Sequence, residues 1–338
     1  GHLVGTLQNR VALQDSHECF IIVADLHSLT TRSKREQITE LPGLVRSMVL
    51  DLLSVGIDPA RSTIYLQSGV PAVYDLAILL QMLTPVARLS KIDTIKDMAR
   101  SAGLSDSEVP IGLLGYPVLQ AADILMASAE LVPVGGDNEI HVQVARELAE
   151  HFNEAYGPVF AVPQPTISST PSLPGVNTIP GGSARKMSKS LGNSINLEDS
   201  SEEVARKLRT LPGPAPGEPG RPPLFAFAEA FIPAETEDLR RDYDRGTIGF
   251  AAVQDRIVTA IEAVLAPFRD RRAAFAADRG RVEEIVVDGT ITARKVAYET
   301  LGRVREAMGL EPLWAGLVQA TQARAEARKR PVYPGRGH

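Results

Sequence analysis

Over the first 160 residues, apolar positions alternate between two rhythms. Short apolar runs at 19–24, 62–67, 131–134 and 159–162 predict strands; apolar positions three and four apart predict helices near 4–14, 41–55, 73–83, 119–127 and 139–152. Strand and helix in turn imply an α/β fold with a mostly parallel sheet. Gly56-Ile57-Asp58-Pro59 predicts a helix stop and a turn before the second strand. Between 163 and 183 the chain is rich in Pro, Ser, Thr and Gly, which predicts a mobile loop leading up to Lys186. After a second such stretch at 212–223, residues 224–310 carry long apolar periodicities and few strand signals, as a helical domain does. The expected organisation is therefore a sheet-bearing domain over 1–192, a helical domain over 193–310 and a C-terminal extension over 311–338. That extension is partly disordered, with order expected to fail past Arg324.

The chain has 338 residues, 44% hydrophobic and 23% charged, which suits a soluble globular protein of two domains. It contains no run of 18 apolar residues and no basic-plus-apolar leader, so neither a transmembrane span nor a signal peptide is expected. A single cysteine, Cys19, excludes an internal disulfide, fits a reducing compartment and, at the head of an apolar run, reads as core packing. The net charge of −5 is unevenly spread. Residues 240–338 hold 18 Lys and Arg against 13 Asp and Glu, a balance of +5; residues 1–239 hold 18 against 28, a balance of −10. A basic C-terminal part suits a polyanionic partner, and a solvated basic helix face gives the same asymmetry.

Candidate chemistry concentrates in two places. Lys186-Met187-Ser188-Lys189-Ser190 puts two ammonium groups just after the glycine-containing loop. Such groups can close on a polyphosphate and on the charge that develops as pyrophosphate departs; an exposed basic loop is the plainer alternative. In Tyr116-Pro117-Val118-Leu119-Gln120-Ala121-Ala122-Asp123-Ile124, a helix would set Tyr116, Gln120 and Asp123 at i, i+4 and i+7, on one face. A polar stripe on a surface helix would look the same.

Together these motifs resemble the class I aminoacyl-tRNA synthetases, in which KMSKS is the second signature motif. Gly1-His2-Leu3-Val4-Gly5 looks like the second half of the first signature, His-x-Gly-His, at a helix start where the dipole favours phosphate; the first His and the strand before it would precede Gly1. The resemblance extends from residue 1 to about Leu310 and narrows to the tryptophan and tyrosine enzymes. Gly56-Ile57-Asp58-Pro59, Gln67-Ser68, Val70-Pro71 and Leu131-Val132-Pro133-Val134-Gly135 look like the tryptophan branch.

The resemblance implies a Rossmann-like parallel-sheet catalytic domain followed by an all-helical tRNA-binding domain. It implies that Asp123 accepts from the indole N–H, that Tyr116 and Gln120 meet the α-ammonium, that Val132 and Val134 wall the ring, and that His27 lies beside it. A buried acceptor aimed at one donor rejects substrates lacking that donor. For ATP it implies contacts from Gly1, His2, Gly135, Asp137, Asn138, Lys96, Lys186, Met187, Ser188 and Lys189, with His2, Lys186 and Lys189 as the catalytic groups and Asp137 on the ribose. Asn138 stands where the family usually has Gln, and Gln120 where many tryptophan enzymes carry Met; both keep hydrogen-bonding capacity and alter reach.

The activity implied is ATP- and Mg²⁺-dependent formation of tryptophanyl-adenylate from L-tryptophan, then transfer to tRNA(Trp), by a cytoplasmic homodimer with no membrane partner. No protein metal ligand is expected, because Mg²⁺ would ride on the phosphates. Arg294, Lys295, Arg303 and Arg305 form the expected basic face toward the tRNA anticodon region. Three alternatives stay open at this point. A tyrosyl enzyme shares the Tyr–Gln–Asp face, a silent regulatory paralogue could keep the motifs, and an unrelated nucleotidyl transferase would lack tRNA charging.

Overall fold

The computed structural model describes residues 7–30, 34–167, 173–176, 187, 192–211, 213 and 222–329. Helix α1 (Gln8–Leu13) leads to strand β1 (Cys19–Val23), a 3-10 turn (His27–Thr30), helices α2 (Arg35–Thr39) and α3 (Leu41–Ser54), and strand β2 (Ser62–Leu66). Next come α4 (Ala72–Gln81), α5 (Val86–Leu89), α6 (Asp93–Ser101), α7 (Ile111–Met126), β3 (Leu131–Val134), α8 (Glu139–Tyr156) and β4 (Gln164–Ile167). From there the described elements are all helical: α9 (Ser201–Arg209), α10 (Leu224–Phe231), α11 (Thr236–Asp244), α12 (Phe250–Ala277), α13 (Arg279–Ala307) and α14 (Leu310–Lys329). The chain divides into two compact units. One comprises Gly1–Gln67, Pro133–Glu139 and Thr166–Thr290; the other comprises Ser68–Val132, Ile140–Pro165 and Ile291–His338.

In the first unit β1 and β2 run parallel, in register from Cys19 opposite Ser62 to Val23 opposite Leu66. A parallel pair needs a crossover, and α3 supplies it. Gly56 ends α3 at φ +106°, a conformation an L side chain resists, and the Ile57 N–H closes back on the Leu52 carbonyl at 3.1 Å. The buried side chain of Gln14 reads that turn: its Nε2 donates to the Gly56 carbonyl (2.8 Å), and its Oε1 accepts from the Asp58 N–H (2.9 Å) and the Ser62 hydroxyl (3.1 Å). The expected helix stop is thus built from backbone and one amide.

Helix α12 docks on α3 through two arginines. Arg271 Nε donates to the Ser54 carbonyl at 2.6 Å, at the negative end of α3, and Arg272 pairs with Asp51 at 2.8 Å. Ile21, Val23, Leu52 and Leu53 share one core with Phe225 and Phe227 of α10 and Ile257, Ile261 and Leu265 of α12. Cys19 packs against this core, and burial pushes its thiol above the usual value. On the other side of β2, Gly289 of α13 lies against the backbone of Ile64, and the Leu66 N–H donates to Thr290 Oγ1 at 3.1 Å. An edge amide that would otherwise seek a strand is thereby satisfied by a helix.

In the second unit α4 packs along α7, with Val73, Leu76 and Leu80 buried from one and Leu113, Val118, Ala121, Ala122 and Leu125 from the other. Thr300 of α13 donates to the carbonyl of Met126, near the end of α7, at 2.8 Å.

Two expectations need correcting. Residues 159–162 are not a strand, because the Asn153 side chain takes the backbone groups a ladder would use. Its Oδ1 accepts from the Val159 and Phe160 N–H groups (2.9 and 3.0 Å), and its Nδ2 donates to the Phe160 carbonyl (2.8 Å); the strand is β4, further on. Helix α7 starts at Ile111 rather than near 119, running through Pro117, whose cost is one missing backbone donor in a helix otherwise buried against α4. Helix α14 runs to Lys329, the last described residue. None of the described helices is long and apolar enough to cross a membrane.

Candidate active site

Helix α7 carries the predicted amino-acid face. Tyr116 and Asp123 are each 8% exposed and Gln120 is half-buried, so the stripe is not a solvated surface. The phenol oxygen of Tyr116 lies 2.7 Å from Nε2 of His141 and 3.1 Å from the hydroxyl of Thr94, which itself lies 3.4 Å from that Nε2. Burial raises the Tyr116 pKa above its ordinary value, partly offset by the Thr94 bond, so the phenol stays protonated at neutral pH. His141 comes from α8, near its start, and is 2% exposed.

Two other predicted pieces belong to the turn leading into α8. Val132 and Val134 are half-buried and, two apart on β3, point to the same side. Gly135 then opens a 3-10 turn over Gly136–Asn138, closed by the Asn138 N–H on the Gly135 carbonyl at 2.9 Å. Asn138 is exposed, and the Asp137 side chain lies outside the described residues. Lys96 is on α6, exposed, and pairs with Asp93 at 3.1 Å.

In the first unit the end of β1 leads to His27, which the end of β2 grips with one amide. Gln67 Oε1 accepts from the His27 backbone N–H at 3.2 Å, and its Nε2 lies 2.7 Å from His27 Nδ1. An amide donor there makes Nδ1 the acceptor and puts the ring hydrogen on Nε2. Gln67 is fully buried. Beside the carboxyl end of β1, where α/β sheets bind their ligands, is a cavity of about 640 Å³. Val23 to Asp25, Arg10, Asn196 and Met187 are among the residues in its wall. The Met187 N–H donates to the Leu173 carbonyl at 3.0 Å, and the Val176 N–H to that of Asn193 at 2.9 Å. Gly1, His2, Lys186, Ser188 and Lys189 lie outside the described residues. Of the expected basic face, Arg294 and Lys295 are exposed, whereas Arg305 pairs with Glu311 and Arg303 donates to Ser128 Oγ at 3.2 Å.

His141 and Thr94 were not singled out from the sequence, and Gln67 was noted only in a stretch resembling the tryptophan branch, with no site role. The signal for His141 was available: it shares the face of Ala145 and Leu148, four and seven positions on, so a buried histidine there needs a polar partner.

Residues 1–212 match the family model described as tRNA synthetases class I (W and Y). The chain belongs to this family. The curated relatives of this W/Y synthetase include the tryptophan–tRNA ligase of Treponema pallidum, 47% identical over 92% of this chain and 93% of that one. The tryptophan–tRNA ligase of Borreliella burgdorferi is 39% identical over 94% and 92%. Among solved structures, the tryptophanyl-tRNA synthetase of Campylobacter jejuni complexed with ADP and tryptophan superposes with a TM-score of 0.76 at 27% identity, covering 92% of this chain and 95% of that chain. The synthetase thus has the expected architecture, a Rossmann-like parallel-sheet domain followed by helices.

Proposed function

We propose that this synthetase activates L-tryptophan with ATP and transfers it from tryptophanyl-adenylate to tRNA(Trp). The observation that carries the choice of amino acid is Asp123, a buried carboxylate on the same helix face as Tyr116 and Gln120. A carboxylate kept from water can accept from the one donor of an indole, while Tyr116 and Gln120 take the ammonium. Val132, Val134 and His27 line the ring in this assignment.

The rate comes from orientation and charge stabilisation, with no protein nucleophile: the tryptophan carboxylate attacks the α-phosphate in line and pyrophosphate leaves. His2, Lys186 and Lys189 stabilise the phosphates, and Gly1, Gly135, Asp137, Asn138, Lys96, Met187 and Ser188 complete the ATP site. Met187 in the wall of the 640 Å³ cavity beside β1 supports a nucleotide there. The Mg²⁺ is the ion that travels with the triphosphate, held by substrate oxygens. The catalytic part comprises 1–192, the tRNA-binding helices 193–310 and the extension 311–338. The active form is a cytoplasmic homodimer, and Arg294 and Lys295 face the tRNA.

ATP–pyrophosphate exchange with tryptophan, tyrosine and phenylalanine tests this directly. Exchange with tryptophan alone is expected. Exchange with tyrosine and none with tryptophan overturns the assignment, and exchange with no amino acid identifies a silent paralogue.

A further inference from the structure

Tyr116 has a polarity problem that its assigned role makes acute. A phenol can donate or accept, but an ammonium only donates. A Tyr116 hydroxyl free to aim its hydrogen at the substrate would repel the group it is meant to hold. The phenol oxygen lies 2.7 Å from Nε2 of the buried His141 and 3.1 Å from Oγ1 of the half-buried Thr94. The imidazole also packs at a centroid distance of 5.2 Å from the phenol, tilted by 38°, which fixes its nitrogen against the oxygen. At 2% exposure it is held away from water.

We propose that His141 is a positioning residue whose Nε2 accepts the Tyr116 hydroxyl hydrogen, so that the phenol oxygen is left as an acceptor for the α-ammonium of the amino-acid substrate. The proposal rests on the assignment of Tyr116 to that ammonium. Once the hydrogen is committed to His141, the two oxygen lone pairs face Thr94, whose hydroxyl can donate, and the substrate. Thr94, 3.4 Å from the same nitrogen, closes the three-membered cluster. The selectivity that follows is for a free ammonium: an N-acylated or deaminated analogue brings no charged donor to this oxygen.

The test is steady-state pyrophosphate exchange on the full chain and on Tyr116→Phe, His141→Leu, His141→Gln and the double variant Tyr116→Phe/His141→Leu, with melting curves to monitor folding. Loss of one hydrogen bond to the ammonium corresponds to about a tenfold rise in the tryptophan KM, or about 1.4 kcal/mol. His141→Leu should show that rise with the ATP KM unchanged. His141→Gln, whose amide oxygen accepts, should recover most of it. The double variant should be no worse than Tyr116→Phe alone.

Additive effects in the double variant, an equal rise in the ATP KM, or His141→Gln as impaired as His141→Leu would overturn the proposal. A rise with Tyr116→Phe and none with His141→Leu brings down His141 alone; no rise with Tyr116→Phe removes the assignment of Tyr116 as well. On the unmutated protein, ¹⁵N spectra of the His141 ring should show hydrogen on Nδ1 and a bare Nε2. Hydrogen on Nε2 contradicts the proposed polarity whatever the variants do.

Discussion

Replacing Gly289 with alanine should destabilise the protein, although the site is in the middle of a long helix, where alanine is ordinarily the better residue. A Cβ built at Gly289 would run into the carbonyl oxygen of Ile64 and sit 2.8 Å from its carbonyl carbon and 3.1 Å from its nitrogen. These are backbone atoms of β2, held in register against β1, so they cannot swing aside as a side chain could. Overpacking of this kind costs about 1–3 kcal/mol, at the upper end where the obstacle is rigid. The helix-propensity gain returns about 1 kcal/mol, leaving a net loss of about 1–2 kcal/mol. For a protein of this size that lowers Tm by about 1–3 °C. Gly302 is the control: it lies on the same helix, and a Cβ there meets nothing within 4 Å. Gly302→Ala should gain about 0.5–1 kcal/mol. Melting curves and urea midpoints of the two variants should therefore move in opposite directions. Two equal upward shifts would refute the close approach of α13 to β2.

Thr290→Val removes the acceptor of the Leu66 N–H and should cost about 1–3 kcal/mol in urea unfolding, whereas Thr290→Ser, which keeps the hydroxyl, should cost far less. Asp123→Ala should lower kcat/KM for tryptophan by roughly 10- to 150-fold in pyrophosphate exchange, the loss of one hydrogen bond to a charged group, with the ATP KM nearly unchanged. The Glu147 carboxyl is held below its ordinary value by its hydrogen bonds from Arg88, at 2.7 and 3.0 Å, against an opposing effect of burial. Its contribution is therefore present above the unfolded value of about 4.3 and lost as pH falls through the folded one. Because both side chains are partly exposed, screening limits it to about 1 kcal/mol. Urea unfolding from pH 7 down to pH 3 should show a shallower acid decline for Glu147→Gln.

Much of the fold was legible because its causes are local. The β1 and β2 runs, the stop at Gly56 and the Tyr116–Gln120–Asp123 face all follow from periodicity and turn chemistry, and each stands where it was expected. The failures have non-local or competing causes. Residues 159–162 are apolar enough for a strand, but Asn153, six residues upstream of Val159, takes their amides first. The helix expected near 119–127 starts instead at Ile111, because burial against α4 carries α7 through Pro117. The partners of the candidate site were harder still to read. His141 reaches Tyr116 across 25 residues and Gln67 reaches His27 across 40. No spacing rule joins positions so far apart; what announces them is a polar residue in an otherwise buried face, whose partner must be supplied by the tertiary fold.

The most direct test of the amino-acid pocket is a crystal structure of the full chain with tryptophan bound. An Asp123 carboxylate oxygen should lie within hydrogen-bond distance, about 2.7–3.2 Å, of the indole nitrogen. A tryptophan seated elsewhere, with Asp123 turned away from the ring, would contradict the assignment of substrate and pocket together.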